Sequence, residues 1–346
     1  MEMISKRECL ISYVFMFGLS LVLMIGHLGK VGGGHAGITK SLLNPGDYDY
    51  FFVRTCDRLK VENSLGNLEL RKRMRWVWKS FEINFYKFIH LNFGNRVLSF
   101  FHQFFYASLI FFNFLFIKKA NFLIFKDKDK KYFYYIFFSF FIFALYTLGP
   151  GTPEIYFSII ESLCISACIY AILKKNVFLY LVACLFATLN RESGALLGLF
   201  WFLFYPKDVK SFFYIIIPPS VLFLVNLDIM GCMLDYNSLF AISPQEGQLI
   251  ITDPTSYTMA SLTQVFFKNF LVFLVPVFAL REFVNDKFLK KILYIFLFYQ
   301  FVFFIGTTLD HLSSKFMLAP LMITLCIQAI QKYDINIALK AQNVSS

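Results

Sequence analysis

Long apolar runs alternate with short polar segments along most of the chain. Several of these runs approach the roughly 20 residues that an α-helix needs to cross a bilayer. They fall at 10–26, 98–117, 132–149, 155–173, 176–189, 195–206, 212–227, 265–280, 292–309 and 316–330. The pattern predicts an all-α fold, a polytopic transmembrane helical bundle of about ten spans.

Two of the runs, 176–189 and 195–206, are short for a full crossing. The charged pair Arg191 and Glu192 separates them within the segment NRES. Charged side chains are costly in lipid and cheap at the membrane surface. The two runs are therefore either two thin helices that both cross, or one crossing helix with a re-entrant piece. The sequence leaves this choice open.

The composition agrees with a membrane-embedded chain. Of the 346 residues, 58% are hydrophobic and 16% are charged, and 47 are Phe. Soluble domains carry more charge, about a quarter of their residues. We therefore treat 1–346 as a single transmembrane domain, in which the large polar segment 27–97 is an extracytoplasmic loop of the same domain.

The positive charges fall in alternate loops and give the chain an orientation. They lie before the first span and in every second loop after it, at Lys6, Arg7, six lysines of 118–131, Lys174, Lys175, Lys207, Lys210, Arg281, Lys287, Lys290 and Lys291. The positive-inside rule places these segments and both termini in the cytoplasm. We therefore attribute the net charge of +11 to membrane topology and to contact with anionic lipid. We expect no nucleic-acid partner.

Motifs for common cofactors are missing from the sequence. The seven Cys show no CxxC spacing, the five His show no HxxxH or HExxH spacing, and neither GxxxxGK[ST] nor GxGxxG occurs. Cys164 and Cys168 are best explained as small residues of a helix core. We expect no cofactor and no dedicated metal site, although this pattern leaves room for a divalent metal.

The predicted first outer loop contains two features. Asp47 and Asp49 stand two apart in the segment DYD, after a Gly-rich stretch. Residues 67–90 then interleave Arg and Lys with Trp and Phe, a pattern typical of a helix that lies in the headgroup layer. The simpler explanations are a polar turn after Pro-Gly for DYD and a packed soluble cap for 67–90.

The other predicted outer segments add further polar groups. Glu154 follows GPGTP at the start of a span, and Glu161 lies inside that span on the same helical face. Arg191 and Glu192 fall in a later outer turn. A third group precedes the last span and consists of Asp310, His311 and Lys315. Acids and a few bases are thus predicted to meet on one side of the membrane, as binding or chemistry there would require.

The layout resembles the GT-C superfamily of integral-membrane glycosyltransferases. The resemblance rests on one span followed by a large outer loop with the acidic segment DYD, then the interfacial stretch 67–90 and many further spans. NRES is similar to the [KR]-E-[ST] segment that joins two mid-chain spans in bacterial members. TPE at 152–154 opens a span in the same manner. The resemblance covers most of the chain.

This resemblance implies a sugar donor on a polyprenyl phosphate and a glycan or glycolipid acceptor. Asp47, Asp49 or Glu154 would then be catalytic, as the general base that deprotonates the acceptor hydroxyl. Arg191 would grip the leaving phosphate, because Arg binds phosphate bidentately. Glu192, Asp310, His311 and Lys315 would contact substrate. For Arg191 and Glu192 a structural ion pair that fixes the turn is the alternative, and for Asp310 and His311 a plain solvated loop.

Two other functions compete with a glycosyltransferase of the bacterial cytoplasmic (inner) membrane. A Wzy-type O-antigen or capsule polymerase has a similar number of spans, but its large outer loop comes late in the chain. A transporter or flippase would carry ionisable residues near the middle of its spans. Glu161 is the residue of this kind that the sequence offers.

Overall fold

The computed structural model describes residues 13–22, 24, 76–125, 154–190, 192–229, 287–306, 318 and 320–326. Within these ranges the regular structure is helical, and none of these residues lies in a β-strand. The helices are α1 (Tyr13–Val22), α2 (Trp76–Phe125), α3 (Glu154–Lys174), α4 (Val177–Asn190), α5 (Leu197–Phe204), α6 (Val209–Ile229), α7 (Lys287–Gly306) and α8 (320–326). A 3₁₀-helix, Glu192–Leu196, connects α4 to α5. The fold class is therefore all-α, as the sequence predicts.

Each described helix overlaps one of the predicted apolar runs, but α2 begins at Trp76, well before its run 98–117. The apolar runs 132–149 and 265–280 lie outside the described residues. Helix α7 begins five residues before its apolar run because Lys287, Lys290 and Lys291 belong to its first two turns. Lysine forms helix well, but a search for apolar residues passes over it.

One described helical segment is long and apolar enough to cross a membrane. It is Arg96–Ile124 of α2, with 29 residues. Four shorter apolar helices accompany it, at Tyr13–Val22, Val177–Asn190, Gly194–Phe204 and Val209–Val225.

Helix α2 bends sharply at Gly94, which has φ 80° and ψ 177°. Such a conformation is open to glycine and essentially closed to other residues. We call residues 76–93 the short arm and residues 95–125 the long arm. The short arm folds back along the long arm, since Tyr86 and His102 lie equally far from Gly94 and share a hydrogen bond.

Ring contacts give the direction of α1 and α3 relative to the long arm. Phe17 packs on Phe104 and Phe111, whereas Tyr13 packs on Phe111 and lies under the ammonium of Lys118, so α1 is antiparallel to α2. Helix α3 is parallel to the long arm. Asn113 reaches Ser162, and further along both helices Phe116 meets Tyr170.

The connection from α3 to α4 is a compact C-cap followed by an N-cap. The backbone N–H of Asn176 donates to Ala171 O at 2.8 Å and that of Lys175 to Ile172 O at 3.0 Å, with Lys175 at φ 52°. These bonds define a Schellman motif, in which glycine is the usual residue at the position of Lys175. Asn176 then caps α4 by accepting from Leu179 N at 3.0 Å.

Asp208 caps α6 in a similar way. Its Oδ1 accepts from Ser211 N at 3.3 Å and its Oδ2 from Trp201 Nε1 at 3.4 Å. Hydrogen bonding from Ser211 is the main cause that lowers the pKa of the Asp208 carboxyl.

The ends of several helices meet at one end of the bundle, which we call the basic end. Tyr205 donates its hydroxyl to Ile172 O, and the Lys291 ammonium donates to Phe204 O at 3.4 Å. The first turn of α7 packs there through Phe288 against Phe204. The lysines that gather at this end are Lys118, Lys119, Lys174, Lys175, Lys207, Lys210, Lys287, Lys290 and Lys291. Predicted cytoplasmic loops that lie far apart in sequence therefore share one end of the fold.

Candidate functional site

Helices α4 and α5 form a tight antiparallel hairpin. The Tyr180 hydroxyl donates to Leu197 O at 2.6 Å, and the Tyr180 and Trp201 rings lie 5.2 Å apart. Gly194 lies directly against α4. A Cβ at this position would overlap the backbone of Ala187 and Thr188. The segment after NRE can turn back this closely only because residue 194 has no side chain.

The turn of this hairpin ends below the first turns of α3, on the side of the bundle that is opposite to the basic end. The thiols of Cys168 and Cys184 are electrostatic neighbours across the α3–α4 pair. Extending this antiparallel register places Asn190 level with Ser162. Helix α3 begins eight residues earlier, at Glu154. At 1.5 Å per residue its first two turns extend roughly 12 Å beyond the hairpin turn.

Helix α6 also extends beyond the turn. Gly198 of α5 packs against Ile216 of α6, with a Cβ at Gly198 falling 3.4 Å from the Ile216 Cα. In this register the 3₁₀-helix lies level with residues 218–222, whereas α6 continues to Ile229. Among the described residues, the hairpin turn therefore ends below the outer turns of α3 and α6, and we call the region above it, between those turns, the recess, with the turn as its floor. The recess faces away from the basic end.

Buried polar side chains lie beside this floor. Asn113 of α2 donates to Ser162 Oγ at 2.7 Å and accepts from the Ser166 hydroxyl of α3. Ser166 also contacts Ser162 O at 2.9 Å. Ser158, one turn nearer the recess, is fully buried, and Asn190 is 1% exposed. Interhelical hydrogen bonds of this kind fix one helix against another where no water competes.

Glu161 is a fully buried carboxylate at the same level. Its electrostatic neighbours include the Cys164 thiol and the hydroxyl of Tyr299 on α7. Tyr299 in turn packs 5.3 Å from the ring of Phe200 on α5. A buried acid is costly unless its surroundings compensate it. The core at this level carries polar groups on α2, α3, α4 and α7. Nearer the basic end most buried side chains are Ile, Ala, Cys and Leu, and Asn121 is a buried polar exception.

A second polar cluster holds the bend of α2. The Tyr86 hydroxyl and His102 Nδ1 lie 2.7 Å apart, and the Tyr106 ring lies 4.9 Å from the His102 ring. Tyr86, His102 and Tyr106 are all buried. Around them the surface of the bend is apolar, with Phe88, Leu91 and Phe93 exposed.

The structure describes only part of the predicted site. Glu154 is the first residue of α3 and Glu192 the first residue of the 3₁₀-helix, so both backbones stand at the recess. The description of these two residues is limited to the backbone. The remaining predicted site residues lie outside the described residues, namely Asp47, Asp49, Arg191, Asp310, His311 and Lys315. Of the interfacial stretch 67–90, residues 76–90 belong to the short arm, and 67–75 lie outside the described range.

Sequence reasoning missed the polar residues of the floor. Ser158, Ser162 and Ser166 recur every fourth residue, a spacing that puts them on one face of α3. That spacing is a readable signal for a helix contact in a membrane protein. Asn113 carries no comparable signal, because it stands alone among Phe residues and its partners come from another helix.

Comparison with known proteins adds no relative. The chain matches no protein-family model, and neither the curated proteins nor the solved structures contain a match to it. Within the described ranges, no group of three or more His, Cys, Asp or Glu side chains could hold a metal ion.

Proposed function

We propose that this chain is a multi-pass glycosyltransferase of the bacterial cytoplasmic (inner) membrane. About ten spans cross the bilayer, with the basic end and both termini in the cytoplasm. A sugar passes from a polyprenyl-phosphate donor to a surface polysaccharide or a lipid-linked acceptor at the recess, on the outer side. The large loop 27–97 is extracytoplasmic.

The observation that carries the proposal is the contrast between the two ends of the bundle. Lysines from four described helices and two turns collect at one end, where the positive-inside rule expects cytoplasm. The recess lies at the other end, and fully buried polar groups from four helices lie beside its floor. Irregular backbone inside a membrane is tolerated where it lines a cavity of this kind.

The roles of individual residues follow from the chemistry of the transfer. Asp47, Asp49 or Glu154 acts as general base toward the acceptor hydroxyl and assists direct displacement at the anomeric carbon. Arg191, which lies between Asn190 and Glu192 in the sequence, binds the leaving lipid phosphate. Glu192 orients Arg191 or contacts the acceptor, and Asp310, His311 and Lys315 complete the substrate site.

The bend of α2 supports a membrane-surface role for the short arm. Leu91 is 80% exposed, Phe93 60% and Phe88 59%. Large apolar side chains in water would be unfavourable. In the headgroup layer they would be buried among acyl chains, and the arm would lie beside a lipid-linked donor.

The experiment measures surface glycans and transfer in variants expressed in a deletion strain. Asp47→Asn, Asp49→Asn and Glu154→Gln are compared with Glu246→Gln, an acid of another predicted outer loop outside the proposed site. We expect one of the first three to lose about 10²–10⁴-fold in transfer rate at normal protein level, because a positioned base contributes that much. Unchanged transfer in all three would remove these acids from the mechanism.

Arg191 provides a second arm of the same experiment. We expect Arg191→Lys to be impaired, because a point charge cannot reproduce a bidentate grip on phosphate. If Arg191 only pairs with Glu192, Lys would restore activity. In that case the double change Arg191→Ala with Glu192→Ala would be milder than either single change.

Glu161 favours a transporter or flippase as the second candidate function. A fully buried carboxylate inside a helix bundle is typical of ion-coupled or proton-coupled transport. Glu161→Gln preserves the shape of the side chain and separates the two functions. A transferase should keep most of its activity, whereas a coupled transporter should lose it. A Wzy-type polymerase would instead show shortened glycan chains in the deletion strain, without loss of a side-branch sugar.

A further inference from the structure

Three lysines surround the C-terminal end of α5. The Lys175 ammonium lies 5.7 Å from the centre of the Tyr205 ring. The Lys291 ammonium lies 5.4 Å from the centre of the Phe204 ring and donates to Phe204 O at 3.4 Å. Lys207 follows Tyr205 by two residues in the turn to α6. We call Lys175, Lys207 and Lys291 the basic notch. It joins residues from α7 and from two different turns.

The basic notch carries an excess of positive charge. Within the described part of the chain, the acid of this turn is Asp208, and its oxygens accept hydrogen bonds from Ser211 N and Trp201 Nε1. Lys174, Lys210 and Lys287 flank the notch and are exposed. Part of the charge of Lys291 is used at the carbonyl end of α5, where a cation is favourable. The charges of Lys175 and Lys207 remain available to an anion.

An apolar surface lies on α6, the helix that follows the turn containing Lys207. The ring of Phe202 lies 5.3 Å from that of Phe212, which lies 5.6 Å from that of Phe213. Along α6 the exposed side chains Phe213, Ile217, Val221 and Leu224 follow one another every three or four residues. They form one stripe roughly 17 Å long, which begins beside Lys210 and runs away from the basic end.

We propose that the basic notch and the α6 stripe together bind an anionic phospholipid. The phosphate lies against Lys175 and Lys207, and an acyl chain lies along Phe213, Ile217 and Val221. The stripe selects a lipid over a soluble anion, because a soluble anion would use only the lysines. The site lies at the end of the bundle opposite to the recess and is independent of sugar transfer.

The test measures lipid binding to the purified full-length chain. The protein is titrated with dioleoylphosphatidylglycerol in phosphatidylcholine nanodiscs, and the shift of its unfolding temperature is recorded. The variant Lys175→Gln/Lys207→Gln is compared with Lys118→Gln/Lys119→Gln, which removes two charges from α2 at the same end of the bundle. Melting in pure phosphatidylcholine verifies that both variants fold.

We expect the notch variant to need roughly 25-fold more phosphatidylglycerol for half of the shift, since each lysine near an anionic surface contributes about fivefold. The α2 variant should need about as much as the unchanged protein. Equal losses in both variants would overturn the proposal in favour of a diffuse surface potential. A full shift with soluble glycerol phosphate would overturn it in favour of a soluble anion. Retained sugar transfer in the notch variant would leave the proposed function untouched.

Discussion

The chain reverses direction at two glycines that are required for opposite reasons. Gly94 bends α2 with φ 80°, and a Cβ there would meet nothing within 4 Å. Gly194 lies in the α4–α5 turn without a left-handed φ, and a Cβ there would overlap the backbone of Ala187. The first position needs a backbone conformation and the second needs space. Identical residues in the sequence therefore report different physical constraints.

The surroundings of the two turns also differ, because Gly94 lies at the surface and Gly194 lies inside the bundle. Phe88, Leu91 and Phe93 are exposed around Gly94, and the Tyr86–His102 hydrogen bond holds the bend. Gly194 is buried in the bundle beside Ala187 and Leu197. Strain at the first turn can be relieved by moving an arm at the surface. An overlap at the second turn has to be relieved by moving whole helices.

Gly194→Ala should therefore have the largest effect. The new methyl group overlaps backbone atoms that cannot rotate away, so the α4–α5 hairpin has to open. We expect the free energy of unfolding to fall by about 3 kcal/mol or more, together with loss of sugar transfer. Thermal unfolding in detergent measures the change.

Gly18→Ala is the matched control for this substitution. Gly18 lies within α1, and a Cβ there meets nothing within 4 Å. Alanine should stabilise that helix by about 1 kcal/mol. A Gly194→Ala protein as stable as the unchanged protein would disprove the close approach of α5 to α4.

Gly94→Ala should have the next largest effect, at about 1–3 kcal/mol, because alanine is strained at this φ and ψ. The short arm should swing away from the long arm, while the rest of the bundle stays folded. Cysteines at positions 85 and 101, whose rings lie 6.5 Å apart, report the arm through a short bismaleimide cross-linker. Unchanged cross-linking together with unchanged stability would contradict the bend.

Tyr86→Phe tests how much the hydrogen bond to His102 stabilises the bend, because it removes the hydroxyl and keeps the ring. We expect a loss of about 1 kcal/mol, the net value of a buried hydrogen bond, and weaker cross-linking between positions 85 and 101. Tyr214→Phe is the control, because Tyr214 is exposed on α6. If both variants melt alike, the Tyr86–His102 bond contributes nothing to the bend.

Lys175→Gly also tests a residue with positive φ, but this substitution should stabilise the protein. Lys175 occupies the left-handed C′ position after α3 at φ 52°, where glycine carries no strain. We expect the free energy of unfolding to rise by about 0.5–1 kcal/mol. The neighbouring Lys174→Gly should instead destabilise, because Lys174 lies in the helix. Destabilisation by both variants would contradict the left-handed conformation.

The smallest effect is expected at Asp208 in the turn before α6, where no residue has a positive φ. Hydrogen bonding to Ser211 lowers the pKa of Asp208 below its unfolded value, which is about 4. Its stabilising contribution is therefore complete above about pH 4 and is lost as the pH falls through the lower folded pKa. Melting of the unchanged protein and Asp208→Asn should differ near neutral pH and converge in acid. A difference that is constant down to the lowest pH would exclude the charged cap.

Much of the fold was predictable because it depends on periodicity and composition. The apolar runs located the long arm of α2 and the other seven helices, and the alternating lysine-rich loops grouped residues that the fold brings together at the basic end. The Asp47, Asp49, Arg191, Asp310, His311 and Lys315 assignments remain predictions, since these residues lie outside the described part of the chain. Glu154 and Glu192 are placed at the recess by their backbones alone.

What the sequence could not determine depends on contacts between distant residues. The length of 176–189 and 195–206 left open how these runs are arranged, and only the packing of Gly194 on Ala187 shows a closed hairpin that ends below the first turns of α3. Asn113 became part of a polar network because a parallel helix brings Ser162 and Ser166 to it. Lys175 and Lys291 became neighbours because α3, α5 and α7 end together. Local pattern fixes which segments are helical and apolar, since it depends on each residue's own preference for helix and lipid. How deep a residue lies in the bundle and which side chains it contacts depend on the register between helices, which only the tertiary structure decides.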